Sequence, residues 1–280
     1  MTRNNEPIEK IKLKYLEDLI KSQIFNTPHD SIYIFENGLE VENLIIDSRE
    51  IFELYNPQKM NENSAPPPFK RLEEYKNPTS IKDIHDLILS GFKHIKLDSD
   101  IILTDEDEND FIDGVSIERS VLVDGCGHSI HGNHLSRIFA INHSAIIQNL
   151  TFKNCGKLQR HGGAILNNGV TEIKNCKFIN GNARFGAGVS NFNILFVRDS
   201  LFENNHSRNG GGAIHNEGLL RVCNSEFKNN ACERYGGAIN SERELIVKNC
   251  IFKNNMAEIY GNSINNIGNA RCLHCEIDEN

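Results

Sequence analysis

The chain has 280 residues, 39% hydrophobic and 24% charged, with no Trp, 21 Gly, 8 Cys and a formal charge of −8 at pH 7. No apolar run approaches the ~20 residues of a spanning helix, and the overall acidity argues against non-specific nucleic-acid binding. The charge is uneven, −4 over residues 1–80, −7 over 81–141 and +3 over 142–280, so the second half is mildly basic.

In chain order, Ile8, Ile11, Tyr15, Leu16, Leu19 and Ile20 recur at helical spacing, which predicts an amphipathic helix over residues 6–24. Met1 to Lys10 is too polar for the core of a signal peptide. A cytoplasmic location is therefore expected, or the cell surface if a leader lies upstream of Met1. Ile32-Tyr-Ile-Phe35 and Leu39-Glu-Val41 flank Asn37-Gly38, the strongest short cue for a hairpin. Residues 1–55 thus read as a small α/β region. Residues 56–79, with Asn56-Pro57, Ala65-Pro-Pro-Pro68 and Asn77-Pro78, read as a linker. Ser80 is placed to cap a short helix running to Leu89, with Asp83 near its N-terminus. That helix would cover the open strand edges at the start of the β-rich second half. Asp105-Glu-Asp-Glu-Asn-Asp110 lacks the Gly and distant Glu of a calcium loop and reads as a solvated loop.

The second half repeats. Phe152, Phe178, Phe202, Phe227 and Phe252, continued by Ile277, are separated by 26, 24, 25, 25 and 25 residues. Asn154, Asn180, Asn204, Asn229 and Asn254 follow two residues later. A Gly-rich block ending in a β-branched residue keeps the same phase: Gly162-Gly-Ala-Ile165, Gly186-Ala-Gly-Val189, Gly211-Gly-Ala-Ile214, Gly236-Gly-Ala-Ile239 and Gly261-Asn-Ser-Ile264. Each unit holds three short pieces alternating with period two, separated by Asn, Asp or Gly, which tolerate turn conformations. Three strands per unit make one coil of a parallel β-helix, a single-stranded all-β solenoid in which each strand pairs with its counterpart ~4.8 Å along the axis. Residues 80–280 would hold the capping helix and about eight or nine such coils.

Stacking gives the columns meaning. Ile147, Ile173, Val197, Val222, Val247 and Cys272 form one predicted interior ladder, and the Phe column forms another. Asn149, Asn175, Asp199, Asn224, Asn249 and His274 fall between inward-facing pairs and predict an amide ladder hydrogen-bonded along the axis.

The Gly-Gly-Ala-Ile blocks, together with Phe202-Glu-Asn-Asn205, Phe227-Lys-Asn-Asn230 and Phe252-Lys-Asn-Asn255, resemble the polymorphic-membrane-protein type repeat. Such repeats occur in bacterial surface autotransporters and in adhesin-like proteins of methanogenic archaea. Val121 to Ile130 and Arg137-Ile-Phe139 resemble the irregular first coils of the methanogen proteins. Over residues 80–280 the resemblance implies a right-handed parallel β-helix and an adhesive or passive binding role.

Candidate binding residues recur in phase with the repeat. The loop before each Gly block reads Gln159-Arg160-His161, Ala183-Arg184-Phe185, Ser207-Arg208-Asn209, Glu233-Arg234-Tyr235 and Glu258-Ile259-Tyr260. Stacked, Arg160, Arg184, Phe185, Arg208, Arg234, Tyr235 and Tyr260 would line one edge. Guanidinium groups bind carboxylate or phosphate in bidentate fashion and rings offer apolar faces, which suits an acidic or neutral glycan, or another protein. Polysaccharide cleavage would need two carboxylates at a set separation. Glu172, Asp199, Glu203, Glu226, Glu244 and Glu276 fall in different columns, so no catalytic residue is assigned. A non-enzymatic adhesin-like scaffold comes first, a polysaccharide-cleaving lyase or hydrolase second and a purely structural protein third. No cofactor is called for. Cys126-Gly-His128 with His131 and His134, and Cys272-Leu-His274-Cys275, offer soft ligands at no standard zinc spacing, so no metal is assigned. The thiols are expected free, with Cys250 and Cys275, one coil apart, able to bridge under oxidation. Ile277-Asp-Glu-Asn280 at a bare strand edge predicts weak self-association through the last coil.

Overall fold

In the computed structural model of the protein, residues 77–278 and two short strands, Phe35–Glu36 and Leu39–Glu40, are described. Those two strands pair antiparallel, Phe35 opposite Glu40, as the Asn37-Gly38 cue predicts. The helix expected over 6–24 and most of the 56–79 linker lie outside the described residues. By contacts the chain divides into Met1–Tyr55 and Asn56–Asn280.

The second unit is a parallel β-helix. Three sheets of eight, seven and eight strands run its length, and every strand pairs in parallel with its counterpart in the next coil. We name them by their inner residues. The Val sheet holds strands such as Ile194–Arg198, the Phe sheet strands such as Leu201–Glu203, and the Asn sheet strands such as Ile214–Asn216. Seven coils are complete and an eighth stops after two strands, fewer than the eight or nine expected. Chain length goes instead into two helices near the start. The first, Ile81–Leu89, begins with a capping box between Ser80 and Asp83 and buries Ile81, Ile84 and Ile88 in the same core as Ile95, Ile101 and Val115. It closes the trunk as predicted. The second corrects the solvated-loop reading: Asp105–Asp110 is helical, its Asp107 carboxylate accepting from the Thr104 N–H at 2.8 Å. Four acidic residues in a first turn suit the positive end of the helix dipole.

Phe152, Phe178, Phe202, Phe227 and Phe252 are in register and stack at 4.8, 4.6, 4.9 and 4.7 Å between ring centroids. All five are at most 1% exposed. The ladder from Ile147 to Val247 is likewise continuous and buried, and Cys272 continues it in register but is exposed, in departure from the predicted interior position.

The polar columns separate into two kinds. Asn149, Asn175, Asp199, Asn224, Asn249 and His274, and likewise Asn154, Asn180, Asn204, Asn229 and Asn254, have φ between 49° and 57°. They form the two corners that flank each Phe strand, and Asn and Asp are the non-glycine residues that enter this left-handed region most cheaply. The expected ladder is present, with Asn175 Nδ2 donating to Asn149 Oδ1 at 2.8 Å and Asn249 Nδ2 to Asn224 Oδ1 at 3.2 Å, but it runs over the outer surface of the corner. Two further ladders are buried. Asn205 donates to Asn230 Oδ1, and Asn230 to Asn255 Oδ1, each through both Nδ2 and the backbone N–H at 2.9–3.1 Å. The Nδ2 groups of Asn205, Asn230 and Asn255 also satisfy the Phe178, Phe202 and Phe227 carbonyls. The other ladder links Asn167, Asn191, Asn216 and Ser241 at 2.7–3.0 Å.

Two substitutions measure these contributions separately. Phe227→Ala should remove about 3–5 kcal/mol of unfolding free energy in urea, because its neighbours in the ring stack cannot collapse into the space. Asn230→Ala, which strands the Asn205 donors, should cost about 1–3 kcal/mol for each group left unpaired. A loss below about 1 kcal/mol in both would contradict a stability that resides in the stacked columns.

Candidate binding edge

In the regular coils, from Phe139 onward, one segment varies in length while the rest does not, whereas the two entry coils also differ at the corner between the Val and Phe sheets. From the inner β-branched residue of the Asn sheet to the next Phe is always 13 residues: Ile165 to Phe178, Val189 to Phe202, Ile214 to Phe227 and Ile239 to Phe252. From the Phe back to that β-branched position takes 13, then 11, then 12 and 12, starting from Phe152, Phe178, Phe202 and Phe227. The unequal repeat steps arise entirely in this loop. Surface loops absorb insertions at little cost, whereas a one-residue change in a strand would turn every side chain to the wrong face.

The loops are nonetheless ordered. Asn182–Phe185, His206–Gly210, Ala231–Cys232 and Met256–Ala257 form a fourth parallel sheet. A bulge lets Ala183 pair with Ser207 but Phe185 with Gly210, accommodating the extra residue. Single bridges extend the row from His161 to Phe185, and from Gly210 through Tyr235 to Tyr260. The predicted edge residues therefore do come together on adjacent coils.

Their presentation differs from the expectation of free ring faces. His161 stacks on Phe185 at 4.6 Å, and Tyr235 lies parallel to Tyr260 at 6.2 Å, so the rings largely face one another. Gly210 interrupts the column, since a Cβ there would lie 3.0 Å from Asn240 Nδ2 and 3.3 Å from His215 Nδ1. The cations differ as well. Arg160 pairs with Asp113, and Arg208 Nε lies 3.8 Å from Glu233. The Arg184 guanidinium sits 5.5 Å above the Phe185 ring, and Arg184 and Arg234 are exposed or partly so at the surface of the loop.

Beneath the loops lies a buried polar column that the sequence did not reveal. Ser190, His215 and Asn240 are at most 3% exposed. His215 Nε2 is 3.1 Å from Glu217 Oε1, and its Nδ1 accepts from Asn240 Nδ2 at 3.1 Å. Asn265 Nδ2 in turn donates to Asn240 Oδ1 at 2.7 Å. This chain fixes the imidazole as the neutral Nε2–H form. A proton on Nδ1 would require Asn240 to turn its oxygen inward and would leave Asn265 without its acceptor.

Of the remaining sequence candidates, the histidines around Cys126 are engaged by separate partners, whereas Cys275 lies in hydrogen-bond contact with both Cys250 and Cys272. His128 faces Asp100 at 3.6 Å, His131 bonds Asn154 at 2.8 Å and His134 bonds Asn182 at 3.1 Å. All eight cysteines are free thiols, and burial pushes those of Cys155 and Cys176 up to about 12. Of the carboxylates, Glu172 pairs with Arg198 at 2.7 Å and Glu226 with Lys228 at 2.8 Å.

The coil that includes the His206–Gly210 loop decides what the chain resembles. Residues 199–217 match the Chlamydia polymorphic membrane protein (Chlamydia_PMP) repeat. The match spans the Phe202-Glu-Asn-Asn205 and Gly211-Gly-Ala-Ile214 hallmarks and, in this coil, the loop between them. A comparison with curated proteins gives no match. Among the described residues no helix is long and apolar enough to cross a membrane.

Imidazoles that the fold desolvates, His215 most of all, make stability depend on pH. Desolvation is the leading cause that pushes His94, His134, His161 and His215 below the ordinary 6.5. On acidification through about pH 6.5 the unfolded chain takes up protons while these folded imidazoles stay neutral, so folding stability falls as pH falls. Urea unfolding should show a lower free energy at about pH 5.5 than at about pH 7.5, with a flatter decline in His215→Gln. An unchanged slope in that variant would mean His215 titrates normally.

Proposed function

We propose that the protein is a non-enzymatic, adhesin-like β-helix scaffold that binds glycan along its loop edge. The observation that carries this reading is the confinement of length variation among the regular coils, from Phe139 onward, to that edge. A trunk held at a constant 13 residues around its Asn, Val and Phe faces presents one segment free to change, as binding loops on rigid scaffolds do. The resemblance to a repeat named for polymorphic membrane proteins supports a surface binding role. Since the rings are stacked on one another, the edge offers a ligand ring edges, Arg184 and Arg234, and the exposed Tyr260. Hydroxyl-rich and carboxylated sugars suit that mixture of donors and apolar CH groups. The polysaccharide-cleaving alternative is less favoured, because Glu172 and Glu226 are each neutralised by a basic side chain.

A glycan array probed with the full chain tests the reading. Wild type should retain a set of glycans that the double variant Arg184→Ala, Tyr235→Ala loses while keeping the wild-type unfolding midpoint. Binding unaffected by the double variant would remove the edge from consideration. Release of shorter fragments from any bound polysaccharide would make the protein an enzyme.

A further inference from the structure

The geometry points to a built oxyanion subsite at the N-terminal end of this edge, centred on Arg137, which takes a carboxylate or sulfate group of the ligand. The inference rests on the edge reading above and narrows the ligand to an acidic glycan.

Arg137 lies outside the repeat and its side chain is only 7% exposed. Its stem lies against the turn at Gly114, where φ is +79° and an added Cβ would come within 2.6 Å of Arg137 Cγ. The residue before it, Ser136, ties its hydroxyl to the Phe111 carbonyl and fixes the backbone from which Arg137 projects. Nη2 lies 3.6 Å from Asp113 Oδ1, while Nε and Nη1, both buried, have no acceptor among the described residues. A buried donor without an acceptor is costly, and a guanidinium directs its donors in a fixed fork that matches a carboxylate or sulfate.

The local charge agrees. The same Asp113 oxygen that faces Arg137 also pairs with Arg160, so one carboxylate serves two guanidinium groups. On the next coil Arg184, whose backbone N–H donates to the Arg160 carbonyl at 2.7 Å, carries a third guanidinium above the Phe185 ring. His161 lies between these coils with Nδ1 buried and unpaired. Burial and the neighbouring His215 hold its imidazole below the usual range, the Glu217 carboxylate opposes them, and the positive charges of Arg184 and Arg137 add to the lowering. Asp113, 67% exposed, is thus an internal stand-in for the ligand's anionic group, and an oxyanion that displaces its carboxylate would take over Nη2 and bring acceptors toward the covered Nε and Nη1.

The probe for this subsite is inorganic sulfate, titrated calorimetrically into the full chain at millimolar concentration against chloride of matched ionic strength. Saturable binding is expected. Arg137→Lys, which keeps the charge and loses the fork, should weaken it about tenfold. Asp113→Asn, at an exposed position, should tighten it by removing the competitor, and it keeps the test valid if the buried Arg137 variant fails to fold. Absence of saturable sulfate binding in both wild type and Asp113→Asn overturns the subsite. On the glycan array, retained ligands that all lack carboxylate and sulfate would also overturn it while leaving edge binding intact. Saturable sulfate binding with no glycan retained would instead support the subsite and remove the glycan reading.

Discussion

Parallel in-register stacking along one axis is the constraint on which the rest of the structure depends. Because each strand bonds its counterpart in the next coil, whatever occupies a position meets its own equivalent above and below. That rewards groups that pack against themselves. Phenylalanine does so by face-to-face stacking at 4.6–4.9 Å in the Phe sheet. Asparagine does so because its amide carries both a donor and an acceptor, so Asn205, Asn230 and Asn255 satisfy one another without a water or a charge. A buried charge in such a column would face its own kind one coil away. The interior columns carry Ile, Leu, Val, Phe, Ala, Ser, Cys and Asn for this reason, and the one buried histidine among the described residues, His215, is held between Glu217 and Asn240.

The same constraint explains what was legible in the sequence. Columns defined by one side-chain type, such as Phe202 and Val222, are visible because a repeat must restate them. The two Asn of Phe-x-Asn-Asn are harder. Asn204 turns a corner at φ 55° and is exposed, while Asn205 is buried and bonded across the coil, yet the letters are identical. Periodicity places both and distinguishes neither. His215 was hidden for a different reason. Its column reads Ser190, His215, Asn240 and Asn265, and only the loops lying over it make it interior. Arg137 lies before the first regular unit, where no repeat flags it.

Strand registry also accounts for the division between trunk and edge. A residue inserted into a strand would reverse every side chain beyond it, so the 13-residue segment stays fixed. A residue inserted before the Gly block is absorbed by the bulge between Ala183 and Phe185 and costs no ladder. Gly186, Gly211 and Gly236, with φ of 58–67°, then return the chain to register, each where a Cβ would strike the Val189, Ile214 or Ile239 carbonyl within 2.2 Å. The recurrent Gly blocks are thus the re-entry points that make a variable loop tolerable.

On the proposed reading, recognition at this edge comes from what stacking leaves unsatisfied. Rings in a column spend their faces on one another, and paired cations such as Arg208 with Glu233 are largely screened by solvent. Arg137 is different in kind. Its stem is packed, its charge is desolvated, and two of its donors lack acceptors, while its one carboxylate is shared with Arg160. A desolvated guanidinium already held in place gives up little side-chain freedom when it binds, whereas an exposed arginine must be immobilised first. Between Arg137 at one end of the edge and the exposed Tyr260 at the other, the structure offers a gradient from anchored charge to exposed ring. An extended ligand lying along the coils would be fixed at its charged end and read more loosely beyond it.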